Sequence, residues 1–274
     1  LTIHSIDQIR LVCFDVDHTL LSDEQQLLPL TEDTLRKLQA RGIKIILATG
    51  KNLAATRDIV DRLKLDDPLI FANGSLIQYR NGEILSQKDL KPERTRQILQ
   101  LGDAKGLDMM LYVTNDTIVK EGGKFLHALD RYGGPKSKEV AQWQDIGTNL
   151  DHILKIVFID EEYNKLVEMS RILEANIPDG IETCFSLPIL LEVQPEGVSK
   201  GSALEEVTHF LKLPREALIA FGDGNNDIEM IQFAGIGVAL KNATPELKKV
   251  ANYVVASNNE EGPAQFLRDI FILQ

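Results

Sequence analysis

The chain has 274 residues, 43% of them hydrophobic and 26% charged, the composition of a globular protein long enough to form two cores. Acidic residues outnumber basic ones, 41 to 30, for a net charge of −11, a balance that opposes a broad interface with nucleic acid or an anionic membrane. An anionic small molecule must then be held by a few local donors.

No apolar stretch reaches bilayer length, and the first residues lack the basic region and hydrophobic run of a signal peptide. The chain reads as cytoplasmic. Cys13 sits in an apolar run, Cys184 is far away, and no Cys-x-x-Cys pair occurs, so both thiols are expected reduced, with Cys13 serving packing. Coiled-coil heptads are missing, which leaves the oligomeric state open.

Leu11-Val12-Cys13-Phe14 predicts a first strand. Thr31 is expected to cap a helix carrying Leu35 and Leu38, ended by Gly42, and Ile43 to Ala48 predicts a second strand. Thr49-Gly50-Lys51-Asn52 opens a helix with Leu53, Ile59, Val60 and Leu63 on its apolar side. Leu69 to Ala72 predicts a third strand, closed by Asn73-Gly74.

From about Ile77 to Pro195 the texture changes. Asn81-Gly82 and Gly122-Gly123 signal hairpins, and Gly133-Gly134-Pro135 signals a loop. Helices are expected over Arg94 to Ala104 and Glu161 to Ala175, and strands over Met109 to Val113, Ile153 to Ile159 and Leu187 to Val193. Trp143 reads as packing.

After Pro195 the first pattern resumes. Ser199 caps a helix bearing Ala203, Leu204, Val207, Phe210 and Leu211. Strand Ala217 to Phe221, helix Asn226 to Phe233 and strand Ile236 to Leu240 follow, then a helix with Thr244 as cap and Pro245 at its first position. The expected fold class is α/β: a parallel-sheet core with helices on both faces, residues 1–80 and 196–274, interrupted by an inserted α/β unit over 81–195.

Reactive residues gather where these strands end and helices begin. Asp15 and Asp17 follow the first strand one residue apart, and like charges presented to one spot call for a cation or a proton. The alternative is a pair of turn caps. Gly222-Asp223-Gly224-Asn225-Asn226-Asp227 follows another strand, and its third carboxylate adds a hard oxygen ligand of the kind Mg2+ prefers. Thr49 and Gly50 stand at a helix start suited to an anion. Lys200 stands in a first helical turn, where a cation needs compensation, either from a bound phosphate or by exposure beside Glu196. In an open parallel sheet, ligands bind beyond the carboxyl ends of the strands, so these groups are expected to converge.

In that order, Asp15-Val-Asp17-His-Thr19, Thr49-Gly50-Lys51, Lys200 and Gly222-Asp223-x-x-Asn226-Asp227 resemble the four motifs of the haloacid dehalogenase-like phosphatase superfamily. The long insertion between the second and third motifs resembles the Cof-type subgroup, whose fold is a Rossmann-like core with an inserted α/β cap. So does Leu191-Glu192-Val193-x-Pro195-x-Gly197-Val198-Ser199-Lys200-Gly201. The resemblance implies a phosphomonoesterase acting on a small phosphorylated metabolite such as a sugar phosphate. Asp15 would be the nucleophile that becomes an aspartyl-phosphate, and Asp17 the general acid and base. Asp15, the backbone carbonyl of Asp17 and Asp223 would hold Mg2+. Thr49, Gly50, Lys200 and Asn226 would bind phosphoryl oxygens, with Asp227 behind the metal or Lys200. The inserted unit would be a lid that excludes water and contacts the leaving group.

Two positions depart from the family pattern: His18 stands where Gly is usual and Lys51 where Arg is usual. His18 must fit the backbone angles of that position and either narrows the substrate range or points to solvent. Lys51 keeps the charge without the bidentate fork. In the insertion, Cys184-Phe185-Ser186 and Glu192 are either substrate-facing or ordinary strand sequence. A phosphomutase shares every motif, and a non-catalytic phosphometabolite-binding protein is a third reading whose mark would be loss of Asp15 or Asp17. Dehalogenation has no need of Asp17.

Overall fold

The computed structural model describes residues 6–124 and 136–273; the expected loop at Gly133-Gly134-Pro135 lies outside them. The chain forms two compact units. One takes the residues up to Gly50, Arg57–Leu85 and those from Ser199 onward, and the other takes Lys51–Thr56 and Ser86–Val198. The divisions fall at 85 and 198, against 80 and 195 from the sequence, and the short segment 51–56 groups with the second unit.

The first unit is built on a parallel sheet. Its strands are β1 (Leu11–Phe14), β2 (Lys44–Leu47), β12 (Leu218–Gly222), β13 (Ile236–Leu240) and β14 (Tyr253–Val255), in the order β14-β13-β12-β1-β2. β1 lies in the middle, pairing in parallel with β12 on one side and β2 on the other. Every residue of β1 and β12 is buried. A central parallel strand is covered on both faces, so its sequence is a continuous apolar run, not an alternation. Phe14 and Phe221 stack with centroids 5.0 Å apart, and Phe266 meets Phe221 edge-on. Cys13 is fully buried with its Sγ 3.6 Å from Met230 Sδ, and burial pushes its thiol pKa up, so it packs as expected.

The third strand, β3 (Leu69–Phe71), joins this sheet only through the Ala48–Ile70 bridge; it heads a separate sheet with β4 (Leu76–Gln78) and β5 (Ile84–Gln87). Helices α1 (Pro29–Ala40), α5 (Lys200–Phe210), α6 (Ile228–Phe233), α7 (Pro245–Val250) and α8 (Gly262–Phe271) complete the unit, with the part of α2 (Leu53–Arg62) from Arg57 onward. Ser199 caps α5 in a reciprocal box with Ser202, and Thr244 caps α7, as the sequence predicts.

Three expectations are corrected. Thr31 does not cap α1, which starts two residues earlier at Pro29. Instead its N–H and hydroxyl both donate to Glu261 Oε2, at 2.6 and 3.0 Å, so a carboxylate distant in sequence supplies the cap. α2 begins at Leu53 with Asn52 Oδ1 accepting from Ala55 N–H at 2.9 Å, which leaves Thr49 at the end of β2 and not at a helix start. Phe210 is 49% exposed, because the large apolar side chains that α5 turns inward are Leu204 and Val207, beside Ala203.

The strands of the second unit are β6 (Asp108–Tyr112), β7 (Thr117–Lys120), β8 (Lys138–Val140), β9 (Lys155–Ile159), β10 (Ile181–Leu187) and β11 (Leu190–Pro195). They form a six-stranded sheet in the order β10-β11-β9-β6-β7-β8. All neighbours are antiparallel except β7 and β8. The run expected as one strand over 187–193 is split: β10 ends at Leu187 and β11 begins at Leu190. Helices α3 (Pro92–Lys105) and α4 (Tyr163–Asn176) contribute Ile98, Leu166 and Leu173 to a core that also holds Trp143 and Phe158.

Candidate active site

Asp15 is the first residue past β1. Its N–H donates to Phe221 O at 3.0 Å, which prolongs the ladder by one bond and aims the side chain beyond the carboxyl ends of β1 and β12. The chain then makes a wide turn closed by Leu21 N–H on Val16 O at 3.0 Å. Asp17 is extended and half-buried, and His18 is left-handed at φ 58° and ψ 7°. That backbone explains why Gly suits the position.

On the neighbouring strand, Gly222 ends β12 where a Cβ would lie 2.6 Å from Asp227 Cβ. Only glycine lets Asp227 fold back here. Asp227 Oδ2 accepts from the N–H groups of Asp223 and Gly224, both at 2.9 Å. Its other oxygen, Oδ1, lies 2.6 Å from Lys200 Nζ, and the same ammonium reaches Asp15 Oδ1 at 2.5 Å. Lys200 is 1% exposed and opens α5. Its compensation in the first turn is thus a pair of carboxylates, and the alternative of an exposed lysine beside Glu196 is set aside.

Asp15, Asp223 and Asp227 offer carboxylate oxygens within 4.8 Å of one another, the one such acidic cluster among the described residues. Asp17 is not a member by its side chain. Thr19, quoted in the motif but given no role by the sequence, donates to Asp223 Oδ1 at 2.7 Å and orients it. Burial raises the Asp15 carboxyl well above its usual range; Lys200 opposes the shift, while Asp227, Asp223 and Asp17 add to it. Burial and then Asp227 push Asp223 up to about 7, against the Thr19 hydrogen bond. Burial alone would lower the Lys200 ammonium, but Asp15 and Asp227 outweigh it and hold the pKa raised.

The buried Asp15 and Asp227 share one ammonium and the half-buried Asp223 lies beside them, three carboxylates to one cation, a deficit of positive charge that fits a divalent cation. Both oxygens of Asp227 are engaged by Lys200 and backbone amides, so Asp15 and Asp223 are the side chains suited to coordinate an ion.

Thr49 is buried at the end of β2, its N–H on Ile70 O at 2.9 Å; the preceding Ala48 N–H bonds Phe14 O, which continues the register so that Ala48 is level with Asp15 and Thr49 lies one residue beyond. Gly50 and Lys51 follow, both half-buried. Asn226 donates through Nδ2 to Asn73 Oδ1 at 3.2 Å. His18 does not simply face solvent: its Nδ1 is 3.0 Å from Asp23 Oδ1, and its backbone oxygen accepts from Asn242 Nδ2 at 2.8 Å.

A family model described as haloacid dehalogenase-like hydrolase matches residues 12–267. The chain belongs to the haloacid dehalogenase-like hydrolases. Within that family it is of the Cof type. This hydrolase is 29% identical over 260 residues to the 5-amino-6-(5-phospho-D-ribitylamino)uracil phosphatase YcsE of Bacillus subtilis, covering 95% of each chain. It is 32% identical over 239 residues to the HMP-PP phosphatase of Cronobacter sakazakii, covering 87% of this chain and 86% of the relative. A crystal structure of a haloacid dehalogenase-like hydrolase from Bacteroides thetaiotaomicron superposes with a TM-score of 0.86 at 24% identity, over 96% of this chain and all of the other, which establishes the shared fold. No helix among the described residues is long and apolar enough to cross a membrane.

Proposed function

We propose that this phosphoric monoester hydrolase is a Mg2+-dependent phosphatase acting on a small phosphorylated metabolite, a sugar phosphate in first place, through an aspartyl-phosphate on Asp15. The observation that carries the reading is the Lys200 ammonium held between Asp15 and Asp227 beside Asp223, at the carboxyl ends of β1 and β12. Relatives named as phosphatases of small phosphorylated compounds support the substrate class.

In this reading an Asp15 oxygen attacks phosphorus, the bond from phosphorus to the ester oxygen breaks, and Asp17 gives its proton to the departing alkoxide. Asp17, now a carboxylate, takes a proton from water as that water attacks phosphorus. The bond to Asp15 breaks and inorganic phosphate leaves. Lys200 has three N–H donors; two are committed to Asp15 and Asp227, and the third is suited to a phosphoryl oxygen. Thr49, Gly50 and Asn226 supply further donors. Asp15, the Asp17 carbonyl and Asp223 would hold a divalent ion, which would supply charge neutralisation and polarisation of the phosphoryl group. Asp227 acts behind them by fixing Lys200 and the 223–224 backbone. We assign the inserted unit the part of a substrate lid, with Lys51 and His18 as residues that tune substrate choice.

Phosphate release from a generic aryl phosphate with Mg2+ tests the reading. Wild type is expected to turn over and Asp15→Asn to release none; full activity in that variant overturns the nucleophile. A panel of phosphorylated metabolites, scored for free phosphate against isomer, separates hydrolysis from a mutase.

A further inference from the structure

The turn after β3 does something unusual for its length. Ala72, Asn73 and Gly74 take φ values of 49°, 56° and 106° in succession. Two of these are left-handed residues with side chains, and alanine has no side-chain polar group to ease that conformation. All three are buried, Asn73 with no exposed surface at all. Strain of this kind persists only where the surroundings impose it, and it concentrates at functional sites.

The surroundings are three separate parts of the candidate site. Asn73 N–H donates to Thr49 O at 3.0 Å, tying the turn to the end of β2. The Asn73 side-chain oxygen accepts from Asn226 Nδ2 at 3.2 Å, tying it to the loop after β12. Gly74 packs so closely on the start of α5 that a Cβ there would collide with the Ser199 carbonyl group and lie 3.1 Å from Ala203 Cβ. Ser199 is the cap of the helix whose first residue is Lys200. One buried turn therefore touches the backbone of Thr49, the cap before Lys200 and the amide of Asn226, residues that reach it from strands and helices far apart in the chain.

We propose that Ala72-Asn73-Gly74 is a positioning element for the phosphoryl-binding donors, with Asn73 acting through Asn226 and Thr49. The inference rests on the phosphatase reading only in naming the ligand as a phosphoryl group. Asn73 accepts from Asn226 and so selects which face the Asn226 amide has left to offer. The left-handed backbone at 72–74 brings the Asn73 N–H and side-chain oxygen to two different loops at once, which an ordinary turn of right-handed residues would not do. A turn needed only to reverse the chain would be served as well by glycine at position 73.

That difference is the test. Asn73→Gly keeps the left-handed backbone and its N–H while deleting the side-chain oxygen. Asn73→Gly, Asn226→Ala and the double variant are compared with wild type for KM and kcat on an aryl phosphate with Mg2+. Affinity for inorganic phosphate is measured by calorimetry, and the melting temperature of each ligand-free protein is recorded. Each single variant is expected to weaken phosphate affinity and raise KM about 5- to 10-fold with kcat changed less. The double variant is expected to be no worse than Asn226→Ala alone, because coupled residues are not additive. Unchanged phosphate affinity in Asn73→Gly, or fully additive losses in the double variant, overturns the proposal, even if its melting temperature falls. A wild type that binds phosphate without turnover, with binding weakened in Asn73→Gly, keeps the positioning role and removes the phosphatase reading. A wild type that turns over beside an unaltered Asn73→Gly does the reverse.

Discussion

Lys200 and Asp15, 185 residues apart in the chain, meet at 2.5 Å in a buried ion pair. The ammonium is shared with Asp227, so removing it strands two carboxylates. Breaking a buried ion pair from one side costs about 3–5 kcal/mol. Lys200→Met is therefore expected to lower the melting temperature by calorimetry and to cut kcat on an aryl phosphate about 100-fold or more, the scale for deleting a donor to a charged transition state. Asp15→Asn is the contrast: it removes a buried negative charge, so the ligand-free protein should melt no lower while phosphate release is lost.

Addition of Mg2+ should raise the melting temperature and a chelator should reverse it, because an ion that binds only the folded chain stabilises by about 2.7 kcal/mol at a hundredfold excess over its dissociation constant. Asp223→Asn is expected to shrink that response. A wild-type melting curve indifferent to Mg2+ and chelator would remove the metal assignment.

Asp23 provides a pH test away from the acidic cluster. Hydrogen bonds from Asn258, Asn259 and His18 hold its carboxyl down to about 2. A carboxyl whose folded pKa is depressed contributes stability above its unfolded value of roughly 4, and loses that contribution as pH falls toward 2. Asp23→Ala should thus melt lower than wild type at pH 6, with the gap closing between pH 4 and 2. The side chain is half-exposed, so the gap is expected to be small.

His18 occupies its left-handed conformation at some cost. His18→Gly relieves a left-handed cost of about 1–2 kcal/mol, adds unfolded-chain entropy worth about 0.4–1 kcal/mol against it, and loses the contact to Asp23, so its stability should stay within about 1 kcal/mol of wild type. His18→Val puts a branched side chain in the same conformation and should destabilise by more, about 1–2 kcal/mol. Equal melting temperatures for the two variants would contradict the left-handed backbone.

In the second unit, Lys155 and Glu192 form an ion pair with both residues nearly fully buried, and Lys155 Nζ lies 4.3 Å from the centroid of the Tyr112 ring. Glu192 thus has a structural partner that the sequence reading did not supply. Glu192→Ala leaves the ammonium uncompensated and should cost about 3–5 kcal/mol in denaturant unfolding, whereas Lys155→Met with Glu192→Leu should cost markedly less.

The parallel core was legible because its central strands are buried on both faces, so Leu11 to Phe14 and Leu218 to Phe221 are unbroken apolar runs that end abruptly in acids and glycines. The second unit was legible only in outline. Its short strands at Thr117–Lys120 and Lys138–Val140 mix charged and apolar residues over too few positions for alternation to stand out. Caps were readable where the capping atom lies three residues from its donor, as at Ser199 and Thr244. The cap of α1 was not, because Glu261 supplies it from 230 residues away.

What the amino-acid order by itself determined is the chemistry on offer: carboxylates, a lysine, a threonine and asparagines, each placed at a strand end or helix start by local patterning. Only the tertiary structure decided who partners whom. Lys200 is compensated by Asp15 and Asp227, Thr19 serves Asp223, and Asn73 joins Asn226 to Thr49. Local propensity acts over three or four residues, whereas these contacts exist because burying a parallel sheet brings its carboxyl ends together. Charges withdrawn from water there must then be balanced by whatever neighbours the fold has delivered.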